Sequence, residues 1–497
     1  MSSVAIILPL CGYLALLFVV ARRAARRGDN ATFFTGGRTT PRLVASIAMV
    51  GAAMSGVTYI SVPGTVLTDG FSYLQTTLGF FVGYVIISTV LMPLYYRLGV
   101  VSLYEYLDSR FGGVAHRTGA WLFFVAKIAS ASLRAYVVCV VLQALLFDGY
   151  NIPFAVNAAL MMLLVWLYTR RGGVRSVVWT EMMKTLLMVG SIVACIVFVI
   201  GDMNLDVGGA AMAAVADSHL SDIFFFDNPL DSRYFWKQFV AGIFLVVAMT
   251  GLDQDMMQTM LSCRSRRDAQ RGMMSSIVLQ SVVILLFLML GALFYLYLAG
   301  RGISATGGAM PLTDASGGVV VARGDDLFGY VATECGLPMV VGILFLLGLI
   351  ASTYTSAGSA LTALTTSFTL DIMGGKSLAE ERLSTLRHRI HTLIAVAMTL
   401  IIICFELFSS SGVIKLIFTV AGYTYGPILG LFAFGLCTRR LPLRYAPPIV
   451  AVVVPVVCYI VSAHSEAWLG GYTFSYEIIV LNAALCFISL LLFSKRR

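Results

Sequence analysis

The chain has 497 residues, of which 59% are hydrophobic and only 12% charged, with a mean hydropathy of +0.89. That balance excludes a soluble globular enzyme and a disordered tail, because apolar runs of about 18 residues or more recur from end to end, and such runs span a bilayer. The net charge of +9 is scattered over short connections and not gathered on one face among aromatics, which excludes a nucleic-acid surface.

The pattern predicts thirteen spans, near 4–21, 42–67, 73–96, 118–146, 152–169, 174–200, 236–260, 273–299, 338–370, 390–408, 412–436, 445–463 and 476–494. The expected fold class is therefore an all-α polytopic membrane protein, a single unit over 1–497. An odd number of spans puts the termini on opposite sides. With the N-terminus outside, 26 of the 34 Lys and Arg fall in inside loops, including Arg26, Arg27, the "SCRSRRDAQR" turn and the terminal "KRR". Few fall outside, Lys415 among them. Positive charge is retained on the cytoplasmic side, so the expected topology is N-out and C-in, multi-pass in a plasma membrane such as the bacterial inner membrane.

Two spans read as broken. The second contains "VGAAMSGVTYISVPG", with Gly51, Gly56, Pro63 and Gly64, and the seventh contains "VVAMTGLDQD", with Gly251 at a comparable place. Glycine in one membrane helix is more often a packing notch than a break. A matched pair five spans apart instead predicts two inverted repeats, 42–201 and 236–437, with 4–21 before them and two helices over 445–494 after them. Broken helices free backbone carbonyls at membrane depth, and in inverted-repeat transporters the site lies there.

Several intramembrane polar residues are candidates on their own chemistry. Arg134 sits inside span 4, where an ionisable residue marks a functional site by default. Its guanidinium suits bidentate binding of a carboxylate, and the alternative is a structural Arg. Lys127 lies seven residues before it on the same face. Asp253, Gln254, Asp255 and Gln258 fall in the cytoplasmic half of span 7, where Asp255 is either on the permeation path or, the favoured reading, a partner for a basic loop. Ser352, Thr355, Ser356 and Ser359 share a face of span 9. Tyr423 and Tyr425 in "AGYTYGP" are gate candidates. In "VVWTEMMKTLL", Glu181 and Lys184 stand one turn apart, and Glu181 can pair with Lys184 or with Lys127.

Four stretches together resemble the sodium:solute symporter family: "MSGVTYISVPG", "GGVRSVVWTEMMKT", "GLDQDMMQTMLSCRSRRDAQRG" and "STYTSAGSALTALTTSFTLDI". Relatives in that family carry sugars, proline, pantothenate, monocarboxylates or sialic acid. The resemblance implies the LeuT-type 5+5 inverted repeat and Na⁺ as the transported coupling ion. It puts Gly51, Met54 and Ser352 on carbonyl ligands of a Na⁺ site, and Thr355 and Ser356 on its hydroxyl pair. The substrate site is expected beside it at the break, where Ser55 and Thr58 follow the break and Gln75 begins span 3, and Arg134 and Gln280 are further candidates. Gln280 and Met249 stand where sugar-carrying relatives have Lys and Tyr, and an Arg on span 4 in sialic-acid carriers takes the substrate carboxylate. The family pattern W-T-D-x-x-Q reads "WTEMMK" here. Lys184 is therefore expected either to stand in for a second Na⁺ or to form a structural ion pair with Glu181 at the cytoplasmic end.

The expected function is Na⁺-coupled symport of a small polar organic solute by alternating access, with an acidic solute such as a sialic acid or sugar acid as the narrower reading, not an enzymatic one. H⁺ coupling, or a neutral sugar or amino acid as solute, is the alternative on the same fold. The partners implied are a small-molecule substrate and the bilayer. The oligomeric state stays open, with a monomer as one reading.

Overall fold

The computed structural model describes residues 3–25, 29–143, 147–206, 209–305, 310–407 and 411–496. Arg26 and Arg27 lie outside the described residues, as does the side chain of Lys415.

Hydrocarbon offers the backbone no hydrogen-bond partners, so apolar runs close their own bonds as helices. In chain order the principal helices are α1 (Ser3–Ala24), α2 (Arg42–Ala53), α3 (Gly56–Asp69), α4 (Tyr73–Leu98), α5 (Gly113–Leu142), α6 (Phe154–Gly172) and α7 (Val174–Asp202). The second half contains α8 (Phe235–Gly251), α9 (Gln254–Leu261), α10 (Arg266–Ala299), α11 (Met339–Ile372), α12 (Glu380–Leu407), α13 (Ser411–Cys437), α14 (Ala446–Ala463) and α15 (Ile478–Leu492).

Among the described residues, seven helices are each long and apolar enough to cross a membrane, and two bent pairs raise that number to nine. The other four expected spans coincide with α1, α6, α13 and α15 without meeting that measure. The 15 residues of α15 reach only about 22 Å against a hydrocarbon core of about 30 Å. Several helices outrun the expected spans at their polar ends. Helix α10 starts at Arg266 and not near 273, because Ser265 caps it, its side chain accepting from Asp268 N at 3.1 Å. Hydropathy marks only the part of a helix that lies in lipid.

The expectation of a purely helical chain needs one correction. A small antiparallel sheet joins Ser304–Ala305, Leu312–Thr313 and Val319–Val321, and Leu441–Pro442 pairs with Ser494–Lys495. These strands lie in connections, where period-three burial has no hold.

Both expected breaks are present, and their bends nearly match. Helices α2 and α3 meet at 64°, and α8 and α9 at 68°. Met54 (φ −97°, ψ 110°) and Ser55 (φ −94°, ψ 170°) are extended, which ends α2. Ser55 then caps α3 in a reciprocal box with Thr58. Asp253, also extended, caps α9 by accepting from Asp255 N at 2.8 Å and Met256 N at 3.3 Å. Glycine permits each break, and a short polar side chain restarts the helix beyond it. One apolar core runs through the bundle, from Tyr13 on α1 to Leu490 on α15.

Candidate functional site

The first break is pressed between two helices. A Cβ on Gly51 would lie 2.4 Å from Thr185 Oγ1 and 2.7 Å from the Glu181 carbonyl oxygen, so α2 touches α7 directly. A Cβ on Gly56 would lie 2.7 Å from Thr353 Oγ1 and 3.0 Å from Ser352 Oγ, so the start of α3 touches α11. Thr185 Oγ1 also donates to the Ile47 carbonyl at 3.0 Å. The structure thus gathers Gly51, Met54, Ser352, Thr355 and Ser356 around one break.

Their oxygens are arranged to accept. Thr355 Oγ1 donates to the Ala351 carbonyl at 3.0 Å and Ser352 Oγ to the Leu349 carbonyl at 2.7 Å. A hydroxyl whose proton is turned onto its own helix presents lone pairs to the other side. No hydrogen bond to the Met54 carbonyl occurs among the described residues. At the second break the freed carbonyls are covered: Tyr95 Oη donates to Gly251 O at 2.9 Å and Tyr104 Oη to Leu252 O at 3.1 Å. The first break thus leaves the Met54 carbonyl open, while the Gly51 carbonyl accepts from Met54 N at 3.2 Å.

Glu181 and Lys184 reach this same place. Lys184 Nζ lies 2.9 Å from Glu181 Oε2 and donates to Ser356 Oγ at 2.9 Å, with both charged side chains fully buried. Glu181 Oε1 has no hydrogen-bond partner among the described residues. Of the two partners open to Glu181, the structure selects Lys184. The pair is not a separate cytoplasmic feature, since its ammonium rests on one of the five expected cation ligands.

Lys127 pairs elsewhere. Its Nζ lies 3.1 Å from Asp253 Oδ2 and 2.6 Å from Asp255 Oδ2, all three side chains buried. Asp255 therefore answers Lys127 on α5, not a basic loop. Arg264, Arg266, Arg267 and Arg271 of the basic turn are exposed, while a carboxylate on α9 packed against α5 needs a partner at its own depth. Tyr425 Oη donates to Asp253 Oδ2 at 2.5 Å, Gln258 Nε2 reaches Asp255 Oδ1 at 3.4 Å, and Ser359 Oγ donates to Asp255 Oδ1. This cluster ties α5, α9, α11 and α13 together below the second break.

A narrow cavity joins the two charge clusters. Its wall includes Ser55, Lys127, Arg134, Glu181, Asp255 and Ser356. It leaves about 10 Å³ for water centres, roughly one water, so the path is pinched in this conformation. Arg134 is partly buried and, unlike Lys127, makes no hydrogen bond or ion pair among the described residues.

Of the expected substrate and gate residues, Thr58, Gln75, Gln280, Tyr423 and Tyr425 lie outside that wall. Gln75 is buried beneath the loop before α8, donating to the Arg233 carbonyl at 2.8 Å and accepting from Phe225 N at 3.2 Å. Gln280 accepts from Tyr84 Oη at 2.9 Å. Thr58 is held in the α3 cap with Ser55. Tyr423 faces α14 and α15, its ring 6.1 Å from that of Tyr459 and its carbonyl accepting from Asn482 Nδ2 at 2.9 Å. An Asp beside a glycine break is a cap signal in the sequence, and Asp253 here also anchors Lys127 and Tyr425.

Outside the membrane, Asp231 is held below the usual carboxylate range by its hydrogen bonds to Arg233, whose Nη2 lies 2.8 Å away. The same Arg233 offers its carbonyl to Gln75, which fastens this loop over α4.

The family profile described as sodium:solute symporter family matches residues 33–445. The chain is 23% identical over 484 residues to the sodium/sialic acid symporter SiaT of Proteus mirabilis, covering 92% of this chain and 89% of that protein. It is 27% identical over 429 residues to the human sodium/iodide cotransporter and 25% over 419 residues to the sodium-coupled monocarboxylate transporter 1 of Xenopus laevis, covering 84% and 81% of this chain. The chain spans only 62% of the length of each of those two relatives. Among solved structures, a Na⁺-coupled sialic acid symporter in a substrate-bound outward-open state is similar in fold, with a TM-score of 0.78 and 21% identity over 99% of both chains. A nucleobase–cation symport transporter in a closed conformation has a TM-score of 0.54 at 12% identity over 92% of both chains. Paired bends, long apolar helices and a profile over most of the chain agree: this is a multi-pass membrane protein that belongs to the sodium:solute symporter family.

Proposed function

We propose that the chain is a secondary active transporter that moves a small organic acid together with Na⁺ by alternating access. The proposed frame is thirteen spans in the LeuT-type 5+5 layout, as one transporter unit with its N-terminus outside and its C-terminus in the cytoplasm. The two similar bends and the positive charge of the inside loops support that frame.

The observation that carries the solute class is Arg134. A guanidinium inside a membrane span costs about 2.5–3.5 kcal/mol, yet this one lines the cavity without a partner among the described residues. A carboxylate meeting it would form a charge-assisted bidentate pair. A sialic acid, another sugar acid or a monocarboxylate fits that chemistry, and relatives named for sialic acid and monocarboxylate transport support it. Na⁺ would be held by the carbonyls of Gly51, Met54 and Ser352 with the hydroxyls of Thr355 and Ser356. Ser55 stands at the cavity wall between the two, while Gln75, Thr58 and Gln280 act in holding the helices.

Purified protein in detergent, titrated with labelled sialic acid, a monocarboxylate and glucose, tests the solute class. Binding of an acid, strengthened by Na⁺, is the expected result. Binding of glucose without either acid would make Arg134 structural. H⁺ coupling is the second reading, favoured by the three buried carboxylates Glu181, Asp253 and Asp255, and it predicts acid uptake without Na⁺.

A further inference from the structure

Lys127, Arg134, Glu181 and Asp255 line the cavity, and Lys184 and Asp253 pair with Glu181 and Lys127 behind that wall, which makes three cations and three carboxylates. The ion pairs use two cations against all three carboxylates, and Arg134 is the remainder. The set is neutral, and it stays neutral wherever the proton of the Glu181–Lys184 pair resides.

We propose that Lys184 is a tethered cation that fills the Na⁺ site of the unloaded carrier and withdraws onto Glu181 when Na⁺ binds, so that one Na⁺ accompanies each monoanionic solute. The inference rests on the Na⁺-coupled reading above.

Three observations support it. Lys184 Nζ touches the hydroxyl of Ser356, an expected Na⁺ ligand, and the Glu181 carboxylate, each at 2.9 Å. A short movement therefore exchanges one contact for the other without the ammonium ever losing a partner. The side chain is fully buried, so the amine has no route to water and its charge must be answered on the spot. Glu181 Oε1 is buried with no hydrogen-bond partner among the described residues, which gives the withdrawn ammonium a second oxygen to hold.

The consequence is a rule for coupling. The empty cavity sums to zero, and so does the cavity holding Na⁺ and a monoanion. Na⁺ alone leaves one positive charge in a low-dielectric interior, and the anion alone leaves one negative charge. Both half-loaded forms carry an uncompensated buried charge, which costs several kcal/mol. The two forms that must cross between sides are the two that are neutral. Lys184 is what makes the empty one neutral, because without it Glu181 is left as a lone buried carboxylate.

The test compares wild type, Lys184→Gln and Lys184→Arg. In purified protein without solute, ²²Na⁺ binding is measured by scintillation proximity, and Na⁺-dependent thermal stabilisation on the same samples. Removing the competing charge should tighten Na⁺ binding by at least about tenfold in Lys184→Gln, since one unit charge a few ångströms from the ion outweighs that factor even at an effective dielectric of about 20. Its melting temperature should also become more Na⁺-dependent than that of wild type. Lys184→Arg, with a bulkier cation that cannot withdraw, should bind Na⁺ more weakly than wild type. On solid-supported membranes, wild type should move no net charge per monoanion, and Lys184→Gln should move positive charge inward. If Lys184→Gln does not purify in a folded state, the Arg variant and the wild-type charge ratio decide.

Wild-type binding of Na⁺ with unchanged affinity in the variants, or two Na⁺ per monoanion in wild type, overturns the tethered cation and leaves Na⁺ coupling standing. Absence of any Na⁺ binding or Na⁺-dependent uptake in wild type overturns the coupled reading itself.

Discussion

Arg134 and Lys127 stand seven residues apart on one face of α5, and of the two only Lys127 has a hydrogen-bonded or ionic partner among the described residues. The rise between them is about 10.5 Å, so one helix presents a locked cation and an open one to the wall of the same cavity. The locked one fastens α5 to α9, and the open one is free to meet a solute.

Arg134→Ala should weaken acid binding by about 10- to 100-fold, the value of a hydrogen-bonded charged contact of roughly 1.5–3 kcal/mol. Arg134→Lys should restore only part of it, because an ammonium lacks the planar fork. Isothermal titration with the preferred acid reads both, and unchanged affinity in Arg134→Ala would remove Arg134 from the site. Melting temperature should stay near wild type, since no hydrogen bond or ion pair is lost among the described residues.

Thr355→Ala with Ser356→Ala should lower apparent Na⁺ affinity by about tenfold or more, as removal of two ligands costs at least about 1.4 kcal/mol. The dependence of acid uptake on external Na⁺ is the readout. Full Na⁺ dependence in the double variant would place the cation elsewhere.

Lys127→Met leaves Asp253 and Asp255 buried against one another, and breaking such a pair by removing one partner costs about 3–5 kcal/mol. A large fall in melting temperature in detergent is expected. Lys127→Met combined with Asp255→Asn should recover part of it, as only one carboxylate then remains and Tyr425 still donates to it. No recovery would mean that the charge pairing is not what holds α9 to α5.

Gly51→Ala would bring a methyl within 2.4 Å of Thr185 Oγ1 and 2.7 Å of a backbone carbonyl. Overpacking of this kind costs about 1–3 kcal/mol, and here it also levers the break away from α7. Na⁺ affinity should fall with stability, and Thr185→Ala in the same chain should relieve the side-chain part of the clash. A Gly51→Ala protein with wild-type Na⁺ binding would show that α2 does not need its close approach to Glu181.

Much of this arrangement is legible in the sequence because helix breaks leave local marks. Gly51 and Gly251 lie in apolar runs, and Ser55 and Asp253 follow them as caps, so the two bends can be read from a dozen residues each. The partners of buried charges are not local. Lys127 meets Asp253 and Asp255 across more than a hundred residues, and neither helical spacing nor loop charge indicates that meeting. Lys184 shows the same limit. Its spacing from Glu181 announces a pair one turn apart, but only packing of α7 against α11 brings the ammonium to Ser356. Gln75 and Gln280 failed to join the cavity for a related reason. A glutamine near a break reads as a ligand in one dimension, while in three it satisfies a loop carbonyl or a tyrosine hydroxyl.

The central claim is tested most directly by acid uptake into proteoliposomes with Na⁺ and H⁺ gradients imposed separately. Inward Na⁺ at equal pH should drive accumulation of the acid above its external concentration, and an inward H⁺ gradient without Na⁺ should drive none. Accumulation driven by H⁺ alone, unchanged by Na⁺, would contradict the account.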